Sequence, residues 1–197
     1  MKLTLVRHGP TEWNALRRFQ GRTDVPLSVH GRAAARAIAE TLHSERFDRI
    51  YSSDLVRAAE TARMLGESRG ADVTLDERLR EFDFGRWEGL TWDEIIAANP
   101  QLAGLGSTAV KLYAPEGGES FPQVSARVAS FLDELTQQNL RAAAVVTHAG
   151  VLHAIFSVLG LAPPERFTAG GITRIAIEVG DASVLTLDDR RHLDDAS

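Results

Sequence analysis

The sequence predicts an α/β domain, a mostly parallel sheet with helices packed on its faces. Three observations lead there. Short apolar runs alternate along the chain with stretches of helical periodicity. Ala142 to Val146 is an unbroken apolar run, the pattern of a strand buried on both faces. Three runs end in polar residues, Arg7-His8-Gly9, Ser52-Ser53-Asp54 and Thr147-His148-Ala149, and in such sheets ligands bind beyond the carboxyl ends of the strands.

The elements follow in order. Lys2 to Val6 is the first strand, ended by Gly9-Pro10. Thr11 caps a short helix through Leu16. Ser28 precedes a long helix with Ala35, Ile38, Ala39 and Leu42 inward and Arg32, Arg36 and Glu40 elsewhere on its surface. Arg49 to Tyr51 is a second strand. Asp54 reads as the N-cap of a helix whose inner face is Leu55, Ala58, Ala59, Ala62 and Leu65, with Arg57 off that stripe. Val73 to Leu75 is a third strand. Glu81 to Gly89 carries two glycines among aromatic and charged residues and reads as an ordered loop. Trp92 to Ala98 is helical and stops near Pro100. Gln101 to Pro122 is Gly-rich and irregular. Val124 to Leu135 is an amphipathic helix with Val124, Val128, Phe131, Leu132 and Leu135 inward. After the Ala142–Val146 strand an apolar helix runs through Leu159. Ile172 to Val179 and Val184 to Leu187 alternate in polarity and predict a closing hairpin around Gly180-Asp181. The tail from Asp188 is charged and is expected to fray.

A chain of 197 residues without repeat or linker predicts one domain over 1–197. Asp plus Glu outnumber Lys plus Arg by 27 to 22, a net charge of −5 that argues against nucleic acid or an anionic membrane as partner. Lys2 and Lys111 are the only lysines, so the basic residues are almost all arginine, the fixed fork that suits phosphate and carboxylate. The absence of cysteine excludes disulfides, thiolate-held metals and thiol catalysis. No early apolar segment reads as a leader and no stretch is long enough for a membrane span, so a cytoplasmic location is expected.

Four residues carry the chemistry. His8, just past the first strand, has the ring of a nucleophile, a base or a ligand. Arg57 lies near a helix N-terminus, where backbone N–H groups already favour an anion. His148 follows the most apolar strand, at the same sheet edge as His8. Glu81 sits among aromatics, where a carboxyl becomes a better proton donor. Each has an ordinary reading in isolation: a loop histidine bonded to a carbonyl, a solvated arginine, a core histidine, a salt bridge to Arg80 or Arg86.

Together the motifs resemble the histidine phosphatase superfamily, also called phosphoglycerate mutase-like. Val6-Arg7-His8-Gly9-Pro10-Thr11-Glu12-Trp13-Asn14 is similar to its nucleophile motif, and Phe19 to Ser28 to the next stretch. Ser52 to Ala62 is similar to its second-arginine helix, Leu79 to Gly89 to its acid loop, Gly117-Gly118-Glu119-Ser120 to its substrate-side turn, and Thr147 to Val151 to its second histidine. The resemblance implies a three-layer sandwich with residues 90–122 as a substrate-side cap. It implies a phosphatase for small phosphomonoesters, needing no metal and no cofactor. His8 would form a phosphohistidine, Glu81 would move the proton, and Arg7, Arg57 and His148 would neutralise the phosphoryl charge. Asn14, Gln20, Gly21, Thr23 and Ala149 would bind phosphate or substrate. A homodimer is left open.

Two positions depart from the family pattern. Pro10 replaces a usual Glu or Gln and removes an amide that could have bound phosphate. Gly31-Arg32-Ala33-Ala34-Ala35 lacks the usual Gln. Two other readings stand beside the phosphatase: a bisphosphoglycerate-dependent mutase and a non-catalytic phosphate-binding regulatory module. Between Gly89 and Pro122 the only basic residue is Lys111, which disfavours the mutase. Trp92, Ile95, Ile96, Leu112 and Tyr113 in that segment predict an apolar wall for the leaving group. His30, His43 and His192 read as surface residues, and His153 as part of the helix after His148.

Overall fold

The computed structural model describes residues 1–105, 113–178 and 180–194. Lys111, Leu112, Val179 and the last three residues of the tail lie outside them. The strands are β1 (Lys2–Arg7), β2 (Arg49–Ser52), β3 (Val73–Leu75), β4 (Ala142–Thr147), β5 (Ile172–Glu178) and β6 (Asp181–Asp189). The helices are α1 (Glu12–Ala15), α2 (Val29–Thr41), α3 (Val56–Glu67), α4 (Trp92–Ala98), α5 (Phe121–Gln137), α6 (Ala149–Val158) and α7 (Arg191–Asp194). The strands form one sheet in the order β3-β2-β4-β1-β5-β6. β3, β2, β4 and β1 run parallel, and the β5–β6 hairpin pairs antiparallel onto β1.

Strand alternation divides the core in two. Leu3, Leu5, Tyr51, Ala143, Val145 and Ile175 face one side, against Val128, Phe131 and Leu132 of α5 and Val151, Leu152 and Ile155 of α6. Val6, Ile50, Ala144, Val146 and Ile172 face the other, against Ile38 of α2 and Ala58, Ala62 and Leu65 of α3. The result is three layers, helix, sheet and helix. The inward residues of α5 are the five that periodicity picked out.

Local capping explains most helix starts. Thr11 and Asn14 close a capping box on α1, and Thr91 and Glu94 close one on α4. Ser28 caps α2 by accepting from the Gly31 N–H at 2.9 Å. Asp54 does not cap α3. Its carboxylate is held by Arg80 at 2.6 and 2.8 Å, and the Val56 N–H donates instead to Asp24, at 2.7 Å. The tail also departs from expectation: β6 runs from Asp181 to Asp189 and α7 follows.

The carboxyl ends of β1, β2 and β4 are tied into one ledge. The His8 N–H donates to the Thr147 carbonyl at 2.9 Å, and the Ser53 N–H to the Val146 carbonyl at 3.0 Å. Behind the ledge the loop after β1 rests backbone on backbone against α2. A Cβ on Gly31 would lie 1.9 Å from the Pro10 carbonyl oxygen, and one on Gly9 would lie 2.5 Å from the Gly31 carbonyl oxygen. The Ser28 N–H donates to Pro10 from the same turn, at 3.0 Å. Pro10 thus serves here through its carbonyl, and its missing N–H leaves no orphan donor.

Gly31→Ala should therefore push the loop off α2. Overpacking of this kind costs about 2 kcal/mol, so Tm should fall by several degrees with a parallel loss of turnover. Thermal melts and rates of the purified variant check this, and an unchanged Tm would show that the contact relaxes freely.

Candidate active site

The ledge opens onto a cleft of about 460 Å³ whose lining includes Arg7, His8, Asn14, Arg57, Glu81 and Ala149. His8 is 3 % exposed. Its Nδ1 lies 2.7 Å from the Gly9 carbonyl oxygen. A carbonyl only accepts, so Nδ1 carries the proton and Nε2 keeps a free lone pair. The ring of His148, 0 % exposed, lies beside it with centroids 5.0 Å apart. Burial lowers the pKa of both rings well below the usual histidine value, and the Arg57 charge adds to the effect. Both shifts favour the neutral rings in the free protein.

The two arginines are as deeply placed. Arg57 is 0 % exposed although it lies off the stripe that periodicity marks on α3. Its Nη1 and Nη2 donate to the carbonyls of Thr23, at 3.0 Å, and Gly21, at 2.7 Å. Burial lowers its pKa to about 10, against the opposing pull of Glu81 and Asp24. Arg7 Nη1 donates to the Phe167 carbonyl at 2.6 Å, and burial lowers its pKa too. Neither arginine is fully satisfied. Arg7 Nε, Arg57 Nε and both ring nitrogens of His148 are buried without a hydrogen-bond partner among the described residues. Buried donors left this way are expensive, and several at one place mark a site built for an acceptor.

Glu81 is 8 % exposed and hangs over the same cleft. It accepts from the Phe82 N–H at 3.0 Å and the Gly150 N–H at 3.2 Å. The second bond brings the first turn of α6 so close that a Cβ on Gly150 would lie 2.4 Å from Glu81 Oε1. Arg80 and Arg86 are engaged elsewhere, with Asp54 and Glu116. The neighbouring carboxylates have structural posts. Asp83 accepts from the Gly85 N–H at 2.9 Å. Glu88 accepts from the N–H groups of Arg22, Thr23 and Phe84 at 2.8, 2.9 and 3.1 Å.

The remaining sequence-derived residues divide. Asn14, Gln20, Gly21 and Ala149 line the cleft. Asn14 commits its carbonyl oxygen to the Thr11 N–H, at 2.9 Å, which leaves its amide hydrogens for an anion. Gln20 is buried, and its Oε1 has no partner among the described residues. Thr23 stands apart from the cleft lining: its hydroxyl donates to Glu88, and its carbonyl holds Arg57. Glu119, in the turn expected on the substrate side, pairs with Arg22 at 3.1 Å and Arg127 at 3.0 Å.

The outer wall differs from expectation. Ile95 is in the core, Trp92 packs on Phe19 and Trp87, and Tyr113 is 45 % exposed; none of these, nor Ile96, lines the cleft. The apolar wall is Phe19, Phe82, Phe84, Phe121, Pro163 and Pro164. Arg17, Arg18, His153 and Glu165 supply its polar groups. His153 does lie on α6, but it faces the cleft rather than being incidental. His192 is buried, its Nε2 2.9 Å from the Gly170 carbonyl oxygen. Phe82 and Phe84 had a signal, the aromatic run around Glu81. Pro163-Pro164 and Arg17 had none, because no periodicity or spacing links them to His8.

The profile of the histidine phosphatase superfamily, branch 1, matches residues 3–190. Glucosyl-3-phosphoglycerate phosphatase of Mycolicibacterium vanbaalenii is 40 % identical over 178 residues, 86 % of this chain and 79 % of that one. Metal-independent phosphoserine phosphatase of Arabidopsis thaliana is 38 % identical over 182 residues, 90 % and 75 % of the two chains. A solved mycobacterial glucosyl-3-phosphoglycerate phosphatase, complexed with VO3, superposes with a TM-score of 0.88 at 33 % identity, covering 96 % of this chain and 99 % of that one.

Neutral burial of His8 and His148 has a pH signature. Their folded pKa values are depressed, so the unfolded chain binds more protons below pH about 6.5. This contribution to stability is complete above that pH and is lost as pH falls toward the folded values. Tm in phosphate-free buffer should decline between pH 7 and 5, and less steeply in His148→Gln. A flat profile over that window would contradict neutral burial.

Proposed function

This chain belongs to the histidine phosphatase superfamily, branch 1, and from that premise we propose that it hydrolyses small phosphomonoesters through a phosphohistidine on His8. The observation that carries the reading is the set of unpartnered buried nitrogens of Arg7, Arg57 and His148 around an imidazole whose Nε2 is free. A phosphomonoester dianion offers the acceptors those nitrogens lack.

In this mechanism Nε2 of His8 attacks phosphorus in line with the leaving oxygen. The phosphorus–oxygen ester bond breaks, and Glu81 gives its proton to the departing alkoxide. Arg7, Arg57 and the Asn14 amide hold the equatorial oxygens, where charge accumulates. His148 is neutral in the free cleft. The dianion reverses the electrostatic balance and lets it accept a proton and share the charge. Glu81, now a carboxylate, takes a proton from water as that water attacks the phosphohistidine. Inorganic phosphate leaves, and His8 and Glu81 return to their starting states. The first turn of α6, with its Gly150 N–H on Glu81, fixes the carboxyl for both proton transfers. The cations of this scheme are side chains of the protein itself. Among the described residues no three His, Asp or Glu side chains are grouped as metal ligands.

The same residues would serve a mutase. Two basic residues from outside the cap segment, Arg17 and Arg18, reach the cleft just past the end of α1.

His8→Ala should lose essentially all turnover while keeping its fold by circular dichroism. Acid-labile phosphate trapped from a labelled substrate should map to His8 and nowhere else. Glu81→Gln should slow alkyl phosphates at least tenfold more than p-nitrophenyl phosphate, whose leaving group needs no proton. Equal losses on both would move the proton transfer to another group. EDTA should leave the rate unchanged and vanadate should inhibit; activity lost to chelator and restored by Mg²⁺ would overturn the charge assignment.

A further inference from the structure

Of the charged side chains of the cleft that the hydrolytic scheme does not use, Arg17, Arg18 and Glu165, one is held by the fold at some expense. Helix α1 ends at Leu16, and the next residue, Arg17, has φ +54°. The Arg17 N–H donates to the Asn14 carbonyl at 3.2 Å, and the Arg18 N–H to the Trp13 carbonyl at 2.9 Å. This left-handed C-terminal turn favours glycine, because a Cβ crowds the following carbonyl. Besides Asp188, Arg17 is the only non-glycine residue with positive φ among the described residues.

The other arginines of the cleft each hold at least one carbonyl or carboxylate of the protein. Arg7 is bonded to Phe167, Arg57 to Gly21 and Thr23, and Arg18 to Gly89 and Glu94. Arg17 is exposed, and its guanidinium makes no hydrogen bond or ion pair among the described residues. It lines the cleft that contains His8, and it is exposed where His8 is buried. The relatives described above carry names whose substrates, glucosyl-3-phosphoglycerate and phosphoserine, both bear a carboxylate beside the phosphoester.

We infer that Arg17 is a specificity-determining residue that pairs with a carboxylate on the leaving group, so that this cleft favours phosphomonoesters of hydroxy acids. The inference rests on the phosphatase reading and narrows its substrate class. A guanidinium presents two parallel N–H donors that match a carboxylate. The strained turn holds it at an exposed edge of the cleft. The pairing is made equally with substrate and transition state, so it acts on KM rather than on kcat.

The test uses substrate pairs that differ in the carboxylate. One pair is O-phosphoserine and O-phosphoethanolamine; the other is 3-phosphoglycerate and glycerol 3-phosphate. The wild-type protein should favour the carboxylated member, measured as the ratio of kcat/KM within a pair. Arg17→Gly should lower that ratio at least tenfold in one pair or both, through KM, and Arg17→Lys should restore part of it. Glycine suits φ +54°, so Tm of Arg17→Gly should not fall, which separates lost recognition from lost structure. A ratio changed less than twofold in both pairs would overturn the inference and leave the hydrolase reading standing, as would a wild-type protein with no preference for the carboxylate. A wild-type protein that releases phosphate from none of these esters nor from p-nitrophenyl phosphate would overturn the hydrolase reading itself.

Discussion

The structure is organised around the burial of positive charge that is deliberately under-partnered. Arg57 gives up water for two backbone carbonyls, and Arg7 for one. Each keeps an Nε with no partner among the described residues. Such an arrangement survives only where the surrounding backbone is rigid enough to stop the side chains from finding better partners. The sheet edge provides that rigidity for Arg7 and the two histidines. For Arg57 it comes from the segment Gly21–Asp24, which has little secondary structure of its own.

Glu88 makes that segment stiff. One carboxylate draws together the N–H groups of Arg22, Thr23 and Phe84, and the Thr23 hydroxyl. The carbonyls of Gly21 and Thr23 are thereby aimed inward at Arg57, and Asp24 is placed to cap the helix that carries Arg57. Glu119 with Arg22 and Arg127 fastens the same region to α5. Acidic residues in the Glu81–Gly89 loop and the turn after it thus do two kinds of work. One faces the cleft, and the others hold the frame that keeps the guanidinium in place.

Much of this was legible in the sequence, and what was not has a physical cause. The strands were readable because a strand buried on both faces has to be continuously apolar, as Ala142 to Val146 is. The inner face of α5 was readable because burial on one side imposes a 3.6-residue period. Arg57 looked solvent-facing because its partners are backbone carbonyls, which leave no trace in side-chain identity. The Asp54 cap failed for a related reason. Arg80 claimed the carboxylate, and an aspartate thirty-two residues upstream of Val56 took over the cap. Arg7, His8, Arg57 and Glu81, read from motif and strand-end position, line one cleft, and the His148 ring lies beside that of His8. The outer wall was missed because Pro163-Pro164 and Arg17 meet there only through the fold.

The sheet order has a consequence for how the protein is made. β1 leads into the loop that carries His8 and lies at the centre of the sheet, where Lys2 pairs with Ala142 on one side and Ala176 on the other. On the ribosome β1 emerges long before either neighbour, and its apolar residues have no sheet to join. Pairings between such distant segments form slowly, and the loose strand is exposed to aggregation or chaperone capture meanwhile. The cleft therefore assembles late, and in a nascent chain that stops short of β4 His8 has neither the Thr147 carbonyl nor the His148 ring beside it.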